Sequence, residues 1–294
     1  DFFLDYQWNI PFFQDRNLIH RQHLSRLVRN ARLLSLLDLF LFQLERLKHH
    51  GANALFARCH PDFPIPPASL AFEAFGHTDS EMYYRTGIAH ARGVGDLVRK
   101  YIDREEPKIC EWGCGPGRIV RHLPGELAAQ RPRIYGSDFN HKSIAWCRKN
   151  IGGVSFETNE LHPPLPFSDN SFDFVYALSV LTHLDEAGWK EWMAELSRVT
   201  GDNGVVFFTT HGRNYLNKLL PDEKAAFLDG SPVFRSKTAL GKKCFAAYHP
   251  ARYVRANLPS PFQVLLHQEE TAMFSLSQDA WVVQKVVQTD NRGS

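Results

Sequence analysis

Three glycines at alternate positions, Gly113, Gly115 and Gly117, stand in the run Cys110-Glu111-Trp112-Gly113-Cys114-Gly115-Pro116-Gly117-Arg118. Glycine tolerates left-handed backbone angles and lacks a Cβ, so such a turn lets a ligand approach the chain while N–H groups point at it. Glu111 precedes the turn at the end of a short apolar segment. Asp138 follows Gly117 by 21 residues, about the spacing at which a second strand brings a carboxylate to ribose hydroxyls. Phe139 beside it is positioned to cover a ribose or a base. Arg118 stands where a dinucleotide-binding turn would place its third glycine, so the pattern is G-x-G-x-G and not G-x-G-x-x-G.

These residues need strands and helices to hold them, and the pattern from about residue 81 supplies both in alternation. Residues 108–112, 133–138, 153–157, 172–178 and 205–210 read as strands, the last as an apolar run of the kind buried on both faces of a parallel sheet. A first helix is expected to open at Arg118, directly after the glycine turn. Asn140 is a cap for a helix over 141–150, and Asp185 for one whose Trp189, Trp192, Met193, Leu196 and Val199 share a face. Residues 262–267 and 280–287 add two more strands without a helix between them, a closing hairpin expected to set one antiparallel strand at the sheet edge. The fold expected is α/β: a doubly wound, seven-stranded, mostly parallel sheet with right-handed crossovers. Residues 1–80 form a helical N-terminal extension and linker, and residues 81–294 the α/β domain. In the extension, residues 18–50 carry apolar side chains at spacings of three and four, with Arg21, Arg26, Arg29 and Arg32 interspersed and Gly51 as a stop. A helix packed on its neighbours, or on a second subunit as a homodimer, is the expected arrangement. The proline-rich 61–67 stretch reads as a linker.

Composition excludes several classes. The 294 residues carry 34 Lys plus Arg against 32 Asp plus Glu, a net charge of +2 that gives no basic surface for nucleic acid. Five cysteines without regular spacing make neither a disulfide framework nor a zinc site, and a reducing, cytoplasmic setting is expected. His49, His50, Cys59 and His60 lack a ligand spacing, so no metal is expected. No apolar run approaches the roughly 20 residues a membrane span needs.

Taken together, Glu111 to Arg118, Gly136-Ser137-Asp138, Leu165-Pro166-Phe167, Ser171 to Val175 and Ser179-Val180-Leu181-Thr182-His183-Leu184 resemble the successive motifs of class I S-adenosylmethionine-dependent methyltransferases. Trp192 to Val199 followed by Gly204 to Phe207 is similar to that family's next helix and strand. The resemblance spans residues 83–285 in order, and within the superfamily it is to small-molecule methyltransferases, some linked to carbohydrate or natural-product pathways. It implies a Rossmann-like methyltransferase fold with S-adenosylmethionine as cofactor and S-adenosylhomocysteine as product. It further implies that Gly113, Cys114, Gly115 and Gly117 wrap the methionine and ribose, with Glu111 beneath and Asp138 on the ribose hydroxyls. Asn159, Glu160 and Leu161 would lie at the adenine, and Ala177 and Leu178 would face the methionine ammonium. Tyr83 and Tyr84 fall where related enzymes carry a lid helix across the cofactor. Arg118 is a further cofactor candidate. The sequence departs from the family's Pro-Gly-Gly turn, reading Gly201-Asp202-Asn203-Gly204 instead.

Methyl transfer to a hydroxyl calls for a base, and His211 and His183, each just past a strand at the sheet's carboxyl edge, are the candidates. The long 213–249 segment supplies Tyr215, Phe234, Arg235, Lys242, Lys243 and Tyr248 as candidate acceptor contacts. The expectation is O-methylation of a small-molecule or glycan-like acceptor, with N-methylation the near alternative. A cofactor-binding scaffold without turnover and a nicotinamide-dependent oxidoreductase are the rivals; the missing third glycine argues against the latter.

Overall fold

The computed structural model describes residues 31–235, 245–269, 274 and 277–286. The segment carrying Arg21, Arg26 and Arg29, and the loop carrying Lys242 and Lys243, lie outside the described residues.

The seven-stranded sheet has the order β3-β2-β1-β4-β5-β9-β8. Its members are β1 (Lys108–Trp112), β2 (Arg133–Asp138), β3 (Ser155–Thr158), β4 (Phe172–Ala177), β5 (Thr200–Thr210), β8 (Phe262–Gln268) and β9 (Asp279–Lys285). β1 through β5 pair in parallel, and β9 runs antiparallel to both β5 and β8. The antiparallel strand is therefore internal: β9 inserts between β5 and β8, and β8 takes the edge. Pairing on both sides buries Asp279 to Val283 of β9, whereas β8 alternates buried and exposed as an edge strand should. A second, two-stranded sheet pairs β6 (Val233–Arg235) with β7 (Ala246–Tyr248).

Helices flank both faces: α1 (Ala31–Cys59), α2 (Ala68–Phe75), α3 (Ser80–Tyr101), α4 (Leu123–Glu126), α5 (His141–Asn150), α6 (Glu186–Val199), α7 (Pro221–Leu228) and α8 (Ala251–Asn257). Asn140 caps α5 by accepting from the Lys142 and Ser143 N–H groups, and Asp185 caps α6 by accepting from Gly188. One core forms under α3 and α5, around Val98, Ile109, Ile134 and Phe174. The other forms under α6, where Trp112 stacks on Trp192 at 4.3 Å.

Besides the place of the antiparallel strand, three expectations change. α1 does not stop at Gly51 but continues to Cys59. Past the glycine, Asn53 donates to the Thr78 carbonyl at 2.6 Å and accepts from Ser80 N–H at 2.9 Å, anchorage that outweighs about 1 kcal/mol of poor propensity. The Gly201–Gly204 run is not a separate turn before a strand. It lies within β5 as a pairing irregularity, with Phe172 opposite Thr200, Phe174 opposite Val205 and Asn203 at φ 59°. Finally, no long helix opens at Arg118. The chain makes a 3-10 turn over Val120–His122 and the single turn α4 instead, because Pro124 and Gly125 break a continuous helix. Among the described residues, no helix is long and apolar enough to cross a membrane.

Candidate functional site at the carboxyl edge of the sheet

β1 delivers the chain into a loop in which Gly113, Gly115 and Gly117 take φ values of 77°, 52° and 73°. Only glycine adopts all three without strain. A Cβ on Gly113 would collide with Val180, and one on Gly115 would come within 2.9 Å of the Ala74 Cβ. The loop is pinned from several sides. Gly113 and Cys114 N–H groups donate to the Ser137 carbonyl, and the Cys114 and Cys147 thiols both reach the Gly115 carbonyl at 3.6 Å. Tyr83 of α3 donates its hydroxyl to the Pro116 carbonyl at 3.0 Å.

Two carboxyl groups stand below and beside this loop. Glu111 is buried and accepts from Val120 N–H at 3.0 Å, with the Tyr176 hydroxyl alongside. Burial raises its pKa from 4.5 to about 8, against the opposing pull of Tyr176 and the Arg118 charge. Glu111 thus takes up the N–H that a helix opening here would have left free. Asp138, at the end of β2, accepts from Gly115 N–H through one oxygen and from Asn140 N–H through the other, each at 2.8 Å. Burial raises its pKa while these two bonds oppose the rise. An oxygen that accepts one N–H keeps lone-pair capacity for a hydroxyl.

Asn159 is buried beside Asp138; it accepts from the Ser137 hydroxyl at 2.7 Å and donates to the Glu160 carbonyl at 2.6 Å. Phe139 and Glu160 are exposed, and the Leu161 carbonyl accepts from the Trp192 indole at 3.1 Å. Ala177 is buried at the end of β4, and Leu178 is half-buried after it. The structure thus brings Glu111, Gly113, Cys114, Gly115, Gly117, Asp138 and Asn159 together at the carboxyl ends of β1, β2 and β3, with Tyr83 bonded to the loop. Two candidates point elsewhere. Arg118 turns toward α3, donating to Thr86 Oγ1 at 3.1 Å and to His90 Nδ1 at 3.2 Å and lying over the Phe75 ring. Tyr84 packs among Phe56, His60, Phe63 and His122.

Beyond the ends of β4 and β5 lie both candidate bases. His183 Nδ1 lies 2.9 Å from the Phe245 carbonyl, and His211 Nδ1 lies 3.0 Å from the Ala247 carbonyl. A carbonyl only accepts, so each proton sits on Nδ1 and each Nε2 keeps its lone pair. Burial lowers both pKa values, that of His211 well below 6.5, and His183 adds to the depression of His211. Both imidazoles are therefore neutral at pH 7. Tyr215 stacks on His211 at 4.2 Å and Tyr248 lies tilted at 5.3 Å. Arg235 is held by Glu223, with Nη2 2.6 Å from Oε2, and donates to the Tyr248 hydroxyl at 3.2 Å, so its charge is offset within the protein. Phe234 faces His249.

Sequence reasoning missed α2, whose Ala74 covers Gly115 and whose Glu73 accepts from the Asn140 amide at 3.1 Å. It also missed Gln278 and Asp279 at the start of β9. Gln278 reaches Ser179, and the Asp279 carboxylate packs over Gly212 while accepting from His267 at 2.9 Å. No local pattern marks these residues, because their partners are remote in the chain.

Residues 110–208 match the methyltransferase-domain family. An uncharacterised methyltransferase of Schizosaccharomyces pombe is 28% identical over 145 residues, covering 43% of this chain and 51% of that protein. The alignment thus spans about half the length of that curated relative. A solved S-adenosylmethionine-dependent methyltransferase from Methanosarcina mazei is similar over 65% of this chain and 98% of its own, at 20% identity and a TM-score of 0.48. A chain from the complex between the Haloferax volcanii Trm112 methyltransferase activator and the putative methyltransferase is covered completely and matches 76% of this one, at 14% identity and a TM-score of 0.50. At such identities the structural likeness is one of fold. Residues 110–208 thus resemble the methyltransferase-domain family, within a chain that has the Rossmann-like fold of the class I S-adenosylmethionine-dependent methyltransferases.

Proposed function

We propose that the protein transfers the methyl group of S-adenosylmethionine to a hydroxyl of a small-molecule or glycan-like acceptor. When bound, the cofactor supplies a methyl group already activated on a sulfonium. The residues present suit it: a glycine loop with three left-handed angles, and a buried carboxylate at the neighbouring strand end with lone pairs to spare. Gly113, Gly115 and Gly117 would admit the cofactor against the backbone, Asp138 would accept from its ribose hydroxyls, and Asn159 would flank the base. Glu111 would offer a carboxylate to the cationic end.

What remains for the chain is to orient the acceptor, exclude water and take one proton. His211 Nε2 accepts that proton from the acceptor hydroxyl, with His183 in the same role if the acceptor lies closer to β4. The observation that carries this reading is the pair of imidazoles whose Nδ1 atoms are tied to the carbonyls of Phe245 and Ala247. That tie presents two neutral bases past the ends of β4 and β5. An ammonium acceptor would have to give one proton to the same base before its nitrogen could attack, so N-methylation is the second reading. The test joins calorimetric binding of S-adenosylhomocysteine to turnover on a panel of hydroxyl and amine acceptors. Binding with hydroxyl-dependent turnover supports the reading, whereas cofactor binding without product from any acceptor would favour a scaffold.

A further inference from the structure

We propose that Gln278 is a positioning residue for the amino-acid end of the cofactor, its side-chain amide holding Ser179 in a left-handed turn against the glycine loop. This rests on the methyltransferase reading above.

Ser179 follows β4 and has φ 62°, a left-handed angle that a residue with a Cβ adopts only when its surroundings impose it. Bonds to three residues impose it here. Ser179 N–H donates to Thr209 Oγ1 at 2.8 Å, and the Ser179 carbonyl accepts from Thr182 Oγ1 at 2.6 Å. The third comes from 99 residues away: Ser179 Oγ donates to Gln278 Oε1 at 3.0 Å, and Gln278 Nε2 donates to Ser179 Oγ at 2.8 Å. Thr209 and Thr182 lie near this turn in the sheet or chain and are held there by β5 and by the turn itself. Gln278 enters from the residue just before β9, is buried, and lies beside the hydroxyl of Tyr215, whose ring stacks on His211.

The turn that Gln278 holds touches the glycine loop directly. Val180, the residue after Ser179, packs so closely over Gly113 that a Cβ there would collide with it. Along the sheet, β2, β1 and β4 are consecutive neighbours. A cofactor whose ribose were held by Asp138 at the end of β2 would have the β1 loop, and beyond it the turn after β4, available to hold its amino-acid end. Loosening Ser179 would disturb the amino-acid end of the cofactor while leaving the nucleoside end alone.

Two ligands separate these ends: S-adenosylhomocysteine carries the amino-acid tail, and 5′-methylthioadenosine has the same nucleoside without it. By calorimetry, Gln278→Ala is expected to weaken S-adenosylhomocysteine about tenfold, the scale of one or two lost hydrogen bonds, and to leave 5′-methylthioadenosine within about twofold. Ser179→Ala, which keeps a Cβ at the left-handed angle but removes the hydroxyl, should reproduce the loss without altering Gln278. Adding Ser179→Gly to Gln278→Ala should restore the affinity, because glycine adopts the angle unaided. Unchanged binding in Gln278→Ala, an equal loss of both ligands, or failure of the glycine to rescue overturns the assignment alone. A wild-type protein that binds neither ligand overturns the methyltransferase reading and this assignment with it.

Discussion

Binding of S-adenosylmethionine at pH 7 is expected to expel most of one proton from the protein, and Glu111 is its source. With a pKa of about 8 in the free protein, this carboxyl is roughly nine-tenths protonated at pH 7. The cofactor brings an ammonium and a sulfonium. A unit charge about 5 Å away at an effective dielectric near 20 is worth about 3 kcal/mol, or about two pKa units. A fall from about 8 to about 6 lowers the protonated fraction to about one-tenth, releasing about 0.8 proton. Calorimetry at pH 7 in buffers of different ionisation enthalpy reads this number as a slope. Glu111→Gln removes the titrating group, so its slope should fall to near zero and its affinity should drop. The same change should stabilise the free protein. A carboxyl whose folded pKa is raised contributes stability that is complete below pH 4.5 and lost as the pH climbs to about 8. At pH 7 that loss is about 3 kcal/mol, which the amide does not incur. A wild-type slope near zero, or an equal slope in Glu111→Gln, would refute the reasoning.

Asp138→Ala should weaken S-adenosylhomocysteine binding by about 1.5–3 kcal/mol, the scale of hydrogen bonds to a charged group, as read by calorimetry; unchanged affinity would remove Asp138 from the ribose. His211→Ala should lower kcat about 10²–10⁴-fold on a hydroxyl acceptor while cofactor affinity is kept; wild-type turnover would exclude it as the base. His249 is fully buried against Trp189, Phe234 and Tyr253, and neither ring nitrogen has a hydrogen-bond partner among the described residues. Burial lowers its pKa to about 3, so its neutral form is favoured in the fold and stability is lost as the pH falls below 6.5. His249→Phe should therefore gain about 2 kcal/mol more at pH 5 than at pH 7 in denaturant melts; an equal effect at both pH values would contradict this. Gly212→Ala should destabilise the protein by about 2 kcal/mol or more, because the new methyl would overlap the buried Asp279 carboxylate; an unchanged melting temperature would count against that packing.

Much of this molecule is local, and local features were legible in the chain. Strand β1, strand β2, helix α5 with its Asn140 cap and helix α6 with its Asp185 cap lie where the spacing of apolar and capping residues put them. The glycine loop and Asp138 were readable for the same reason, since a turn with left-handed angles and a carboxylate one crossover later are both defined by short spacings. The helix expected at Arg118 failed because Pro124 and Gly125 decide against helix in that stretch. The stop expected at Gly51 failed because Asn53 bonds to Thr78 and Ser80, about 25 residues away.

By itself, then, the sequence determined a parallel α/β sheet, a glycine turn and the carboxylate that answers it, because propensity, capping and pattern act over a few residues. Only the tertiary structure decided that β9 inserts beside β5, that Arg118 turns away to His90, and that carbonyls of Phe245 and Ala247 fix the protons of His183 and His211. Those outcomes depend on which groups become buried together, and burial is a property of the packed chain, set by partners tens of residues apart.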